Sequence, residues 1–159
     1  MLFSASEEST LALGIAIAKQ LHWGQTLALY GNLGAGKTVF SRGIARGLGV
    51  VEPITSPTFT IVQEYRLSSR HFLFHLDMYR IDNEEAALAF GIEDFLFAPD
   101  AITLVEWPER IKALLPEGET VVVTLEHKGD NLRQITLPSS LEETLCQNGL
   151  PEGISLAGQ

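Results

Sequence analysis

Apolar positions along the chain alternate between a helical and a strand spacing. Leu11, Ile15, Ala18 and Leu21 recur every three or four residues, which predicts a first helix. Ser4 or Ser6 would cap it, Ser4 and Glu7 standing at capping-box spacing, and Trp23-Gly24 would end it. Residues 26–30 form a short apolar run of strand type. Helical spacing returns through Phe40, Ile44 and Leu48, with Arg42 and Arg46 on the opposite side and Gly47 and Gly49 at the end. Residues 60–67 and 71–77 then read as two strands around a Ser68-Ser69-Arg70 turn, with Ile61, Gln63, Tyr65 and Leu67 on one face of the first. A hairpin at this place requires some antiparallel pairing.

The second half continues the alternation. Asp82 or Asn83 caps an acidic helix through Phe90, closed by Gly91, and a helical turn follows at 92–96. Residues 101–105 are apolar without alternation, as in a strand buried on both faces, and Glu106 stands at its carboxyl end. Pro108 fits the first position of a helix to Leu115. Residues 120–125 and 132–137 bracket Lys128-Gly129-Asp130-Asn131 as a second hairpin. The expectation is one α/β domain over residues 1–138. Residues 139–159 would be a tail with a short helix at 141–145 and a partly disordered end.

Composition narrows the function. A chain of 159 residues, 45% hydrophobic, suits one domain with a continuous core. Its net charge of −9, with only 11 Lys and Arg spread through the sequence, argues against a protein that grips nucleic acid unaided. Cys146 is the only cysteine, so no disulfide can form within the chain. The amino end carries no signal-peptide pattern and no apolar run approaches about 18 residues, from which a soluble, cytoplasmic protein with no membrane partner is expected.

The chemistry centres on Gly31-Asn32-Leu33-Gly34-Ala35-Gly36-Lys37-Thr38, a G-x-x-x-x-G-K-[ST] phosphate-binding loop between a predicted strand and a predicted helix. Its glycines let the backbone curl around a polyphosphate with N–H groups turned inward, and the following helix presents its positive end to the anion. Nucleotide contacts are expected from Asn32, Leu33, Gly34, Ala35, Gly36, Lys37, Thr38 and Val39. Lys37 would reach the β- and γ-phosphates as a catalytic group, and the Thr38 hydroxyl would ligate Mg²⁺. These features predict a P-loop NTPase-like three-layer fold with a mixed, partly antiparallel sheet.

Open α/β sheets bind ligands beyond the carboxyl ends of their strands, so Glu106 is expected at the same edge as the loop. It is the best candidate for the acidic partner of Mg²⁺, the alternative being a solvated strand-end carboxylate. In His75-Leu76-Asp77-Met78-Tyr79-Arg80, alternation puts His75, Asp77 and Tyr79 on one face. Asp77 either orients water against the γ-phosphate, joins the surroundings of the metal, or makes a structural bridge. His75 is either a satisfied buried histidine or part of the site, and Trp107 either core or a base-stacking platform. Residues 55–59, Ser/Thr-rich and fixed by Pro57, have the character of a nucleotide-sensing loop or of a plain lead into a strand. His127-Lys128-Gly129-Asp130 differs at one position from the Asn-Lys-x-Asp of guanine nucleotide proteins and is explained more simply as a turn, so ATP is expected over GTP.

Together, the phosphate loop, Ser56-Pro57-Thr58-Phe59, His75-Leu76-Asp77-Met78-Tyr79-Arg80 and Glu106-Trp107 resemble, in order and spacing, the bacterial TsaE family, formerly YjeE. The resemblance spans about residues 4 to 137; Val39 replaces a commonly found second Thr. It implies an ATPase needed to form threonylcarbamoyladenosine in tRNAs that read codons starting with A. Such an enzyme works with the TsaD and TsaB proteins and meets tRNA only through that complex. It also implies Thr38 and Glu106 as Mg²⁺ ligands, with Ser6 and Arg133 bordering the adenine. Two other classes share the loop: a small-molecule kinase, which would need an acceptor pocket and usually an Arg-bearing lid not apparent here, and a nucleotide-dependent binding module with negligible turnover.

Overall fold

The computed structural model describes residues 1–54 and 60–158; the Ser/Thr-rich loop at 55–59 lies outside them. In chain order the elements are β1 (Leu2–Ser4), α1 (Glu7–Ala18), β2 (Thr26–Tyr30), α2 (Lys37–Gly47), β3 (Val62–Arg66), β4 (Phe72–Asp77) and α3 (Glu84–Ala89). Then come α4 (Glu93–Leu96), β5 (Ala101–Glu106), a 3₁₀ segment (Pro108–Leu114), β6 (Thr120–Gly129), β7 (Leu132–Thr136), α5 (Ser139–Asn148) and β8 (Ile154–Leu156). The chain divides into two compact units, neither continuous in sequence. The first is Met1–Leu21, Gly31–Thr55 and Val123–Gln159; the second is His22–Tyr30 and Ser56–Val122.

In the second unit the strands run in the order β3-β4-β5-β2. Both β2 and β4 lie parallel to β5, and β3 turns back antiparallel on β4, as the hairpin pattern predicted. Every residue of β5 is buried, the expected state of an unalternating apolar run between two parallel neighbours. Phe74, Leu76, Met78, Ile92, Leu96, Val105 and Ile111 form the core packed on these strands. Asn83, rather than Asp82, caps α3: its side chain accepts a 2.9 Å bond from the Ala86 N–H. The helix predicted after Pro108 is a 3₁₀ segment broken at the non-helical Ile111.

In the first unit the strand order is β6-β7-β1-β8, with β7 antiparallel to β6 and β1, and β1 antiparallel to β8. Two of these strands, β1 and β8, have only three residues and too little periodicity to be read from sequence. Instead of a partly disordered tail, α5 extends over Ser139–Asn148 and β8 pairs with β1. A bulge between His127 and Gly129 and the 2.7 Å Lys128–Glu126 ion pair give the guanine-like segment a hairpin structure.

The cap of α1 is Ser6, not Ser4. Its Oγ accepts from the Ser9 N–H at 3.1 Å while its own N–H donates to Ser9 Oγ at 2.9 Å, so Ser9 does the work expected of Glu7. Ser4 lies in β1, its hydroxyl 2.7 Å from that of Thr10. The buried side of α1 is also shifted from the predicted stripe: it carries Thr10, Leu13, Gly14, Ile17 and Ala18, with Leu11 and Ile15 half-buried. Because residues 11–18 are apolar or small throughout, spacing cannot choose the face. Small residues choose it. A Cβ on Gly43 of α2 would lie 2.3 Å from the Leu11 carbonyl oxygen, and one on Gly14 would lie 2.6 Å from that of Phe40, so the backbones of α1 and α2 approach as only glycine permits. On α2, Phe40 and Ile44 are buried and Arg42 and Arg46 exposed, as predicted.

Candidate nucleotide site

Strand β2 is buried through Leu29 and ends at the half-buried Tyr30, whose phenol pKa is raised, first by burial and then by the Glu109 carboxylate. The chain then enters the phosphate loop. Gly31, Gly34 and Gly36 hold φ of 152°, 77° and 103°, values costly for residues with a side chain. Gly31 is constrained twice, because a Cβ there would also meet the Leu125 carbonyl oxygen at 2.6 Å. Beside Gly34, by contrast, nothing lies within 4 Å of such an atom.

Asn32, Leu33 and Gly34 are exposed, Ala35 is buried, and Thr38 and Val39 are half-buried. Lys37 is only 6% exposed and its Nζ donates to the Gly31 carbonyl, so the ammonium is folded back over the loop. Helix α2 begins at Gly36 with no side-chain cap, which leaves its positive end to the loop itself.

Of the two outlying residues expected near the nucleotide, one meets the loop. Arg133 on β7 brings its Nε to 3.6 Å from the position a Gly36 Cβ would take, while its Nη1 donates to the Asp130 and Leu132 carbonyls at 3.3 and 3.1 Å. Ser6 is engaged in capping α1.

The carboxylates belong to the second unit. Glu106 pairs in register with Leu29 of β2 and with Asp77 of β4, so these parallel strands end level. Strand β2 passes into the phosphate loop one residue after Tyr30. Glu106 is 4% exposed, and its Oε2 lies 2.8 Å from Nε2 of the fully buried His75. Asp77 is half-buried and accepts at Oδ1 a 3.0 Å bond from the Tyr79 N–H, which fixes the turn after β4.

Directly after Glu106, Trp107 adopts φ 57° and ψ 49°, the only non-glycine positive φ among the described residues. For a bulky residue this is strained, and it turns the chain sharply away from the strand end. The Trp107 ring lies tilted against Tyr79, centroids 5.0 Å apart, and packs on the core as a partly exposed side chain. Neither the Trp107 backbone nor the His75–Glu106 pair was visible in the sequence, since the first needs a dihedral and the second the β4–β5 register.

The second unit offers the Glu106 and Asp77 carboxylates and the first offers the Thr38 hydroxyl, all hard oxygens of the kind that Mg²⁺ takes. Among the described residues no three His, Cys, Asp or Glu side chains cluster, so a cage built wholly of protein ligands, as for structural zinc, does not form there.

The family model for threonylcarbamoyl adenosine biosynthesis protein TsaE matches residues 4–135. This chain belongs to the TsaE family. It is 38% identical over 138 residues to the tRNA threonylcarbamoyladenosine biosynthesis protein TsaE of a Nostoc species, covering 85% of this chain and 84% of the relative. With the TsaE of Bacillus subtilis the identity is 36%, covering 91% and 89%. The TsaE of Treponema pallidum is 37% identical over 84% of this chain and 96% of its own. The crystal structure of Bacillus subtilis YdiB superposes with a TM-score of 0.73 at 32% identity, over 93% of this chain and 95% of that one. The fold is thus the P-loop α/β fold expected from the loop, with parallel and antiparallel strands. No helix among the described residues is long and apolar enough to cross a membrane.

Proposed function

We propose that this chain is a Mg²⁺-dependent ATPase that supports threonylcarbamoyladenosine formation on tRNA, acting with TsaD and TsaB in the cytoplasm. The observation that carries the reading is the phosphate loop itself: three glycines in conformations a side chain would oppose, a buried lysine folded over them, and an uncapped helix start. Backbone N–H groups of residues 32–38 hold the phosphates, and Lys37 leaves the Gly31 carbonyl to follow the β- and γ-oxygens. Thr38 and Glu106 would hold Mg²⁺, which would supply charge neutralisation for the phosphates. Asp77, held by the Tyr79 N–H, orients the attacking water, and the Arg133 guanidinium beside Gly36 lies against the nucleotide. Ser6, at the entry to α1, borders the adenine.

The acidic charge fits this division of labour. With a net charge of −9, the chain is poorly suited to neutralise tRNA phosphates, so its contribution reaches tRNA through the complex. The test is ATP turnover of the purified chain alone and with TsaB and TsaD, with a panel of small phosphoryl acceptors as contrast. Turnover stimulated by the two proteins supports the reading. Phosphate transfer to an acceptor, with no response to TsaB and TsaD, would make it a kinase.

A further inference from the structure

Parallel pairing of β4 with β5 sets His75 opposite Leu104, so Glu106, two residues further along the same face, is its diagonal neighbour. At that distance an imidazole and a glutamate carboxylate meet, as the 2.8 Å Nε2–Oε2 contact shows. The other ring nitrogen, Nδ1, is buried and has no hydrogen-bond partner among the described residues. A side chain present only to fill this space would be leucine or phenylalanine, which leave no orphaned polar atom. Histidine gains here only through Nε2. With the Glu106 carboxylate as acceptor, Nε2 is the donor of this bond.

We propose that His75 is a positioning residue for the metal: its Nε2–H ties one oxygen of Glu106, fixes the carboxylate's rotation, and leaves the other oxygen for the cation. This rests on the Mg²⁺–ATP reading above. Two further features fix the backbone that carries this carboxylate. The Met78 N–H donates to the Glu106 carbonyl at 3.0 Å, and the strained Trp107 ends the strand at once. Metal-bound carboxylates are commonly held this way by a hydrogen-bonding neighbour, and loss of such a neighbour weakens metal affinity roughly 10- to 100-fold.

The experiment uses the full chain saturated with a fluorescent ATP analogue. Mg²⁺ is titrated by fluorescence and bound Mn²⁺ is counted by electron paramagnetic resonance, for wild type, His75→Leu, His75→Gln and Glu106→Gln. His75→Leu should weaken divalent-ion binding by about 10- to 100-fold while metal-free nucleotide affinity in EDTA stays unchanged, and His75→Gln, which keeps an N–H near the Nε2 position, should recover most of the loss. Wild-type metal affinity in His75→Leu, or equal losses in Leu and Gln, overturns the proposal.

Should His75→Leu not fold, the wild-type imidazole ¹⁵N resonances decide. An Nε2–H tautomer whose shifts move when Mg²⁺ joins the nucleotide supports the role, and an Nδ1–H tautomer or shifts indifferent to Mg²⁺ reject it. Glu106→Gln separates the two levels. If it binds Mg²⁺ as wild type does, the metal reading itself fails; if it loses Mg²⁺ and His75→Leu does not, only the role of His75 fails.

Discussion

Gly43→Ala should destabilise the protein although it replaces a poor helix former with the best one. In an open helix interior the change gains about 1 kcal/mol. Here the new Cβ would lie 2.3 Å from the Leu11 carbonyl oxygen and 3.0 Å from Gly14 Cα, both backbone atoms that no rotamer change can move. Carbon–oxygen contacts settle near roughly 3.3 Å, so α1 and α2 must part by about 1 Å. A gap of that size forfeits about a quarter to a half of the dispersion energy between facing atoms, and overpacking of this kind costs typically about 1 to 3 kcal/mol, occasionally more.

The fully buried Leu13, Ile17, Phe40 and Ile44 lie along these two helices, which puts the cost at the upper end. After the propensity gain of about 1 kcal/mol, a net loss of about 1 to 2 kcal/mol remains, or a fall in melting temperature of roughly 2 to 8 °C for a chain of this size. Because α2 starts at the phosphate loop, ATP affinity measured well below the transition should also fall. Thermal unfolding followed by circular dichroism gives the first quantity and titration with a fluorescent ATP analogue the second. A melting temperature equal to or above wild type would refute the close-packing argument.

Lys37→Ala should leave the fold intact but lose about 2 to 4 kcal/mol of transition-state stabilisation, read as a fall in kcat/KM for ATP; unchanged turnover rejects the loop as the site. ATP should displace a labelled ATP analogue better than GTP does, since the His127–Asp130 segment is a bulged hairpin end; stronger displacement by GTP would revive the guanine reading. Ser6→Ala should cost about 1 kcal/mol in urea unfolding and Ser6→Gly only a few tenths, the order expected of an N-cap; equal losses would show that the Ser6–Ser9 exchange is not what holds the start of α1.

The parts of the fold legible in the sequence were those with a strong local signal. The phosphate loop, the unalternating run of β5 and the turn between β3 and β4 each carry their structure in adjacent residues. The misreadings share one cause, that long-range contacts chose between local options of similar merit. The face of α1 follows from Gly14 meeting Gly43, and β1 and β8 exist only because β1 pairs with β7 on one side and β8 on the other. At the site, residue identity pointed to Lys37, Thr38 and Glu106. The bond from His75 to Glu106 needed the strand register, and the turn at Trp107 a backbone dihedral that no propensity favours.

The central claim is that Thr38 and Glu106 serve one metal-bound nucleotide. A crystal structure of the chain with Mg²⁺ and a non-hydrolysable ATP analogue tests it most directly. The account predicts the β- and γ-phosphates in the loop, Mg²⁺ about 2.1 Å from the Thr38 hydroxyl, and the Glu106 carboxylate bound to the metal directly or through one water. A Glu106 carboxylate more than about 6 Å from the metal, with no water between them, would contradict it.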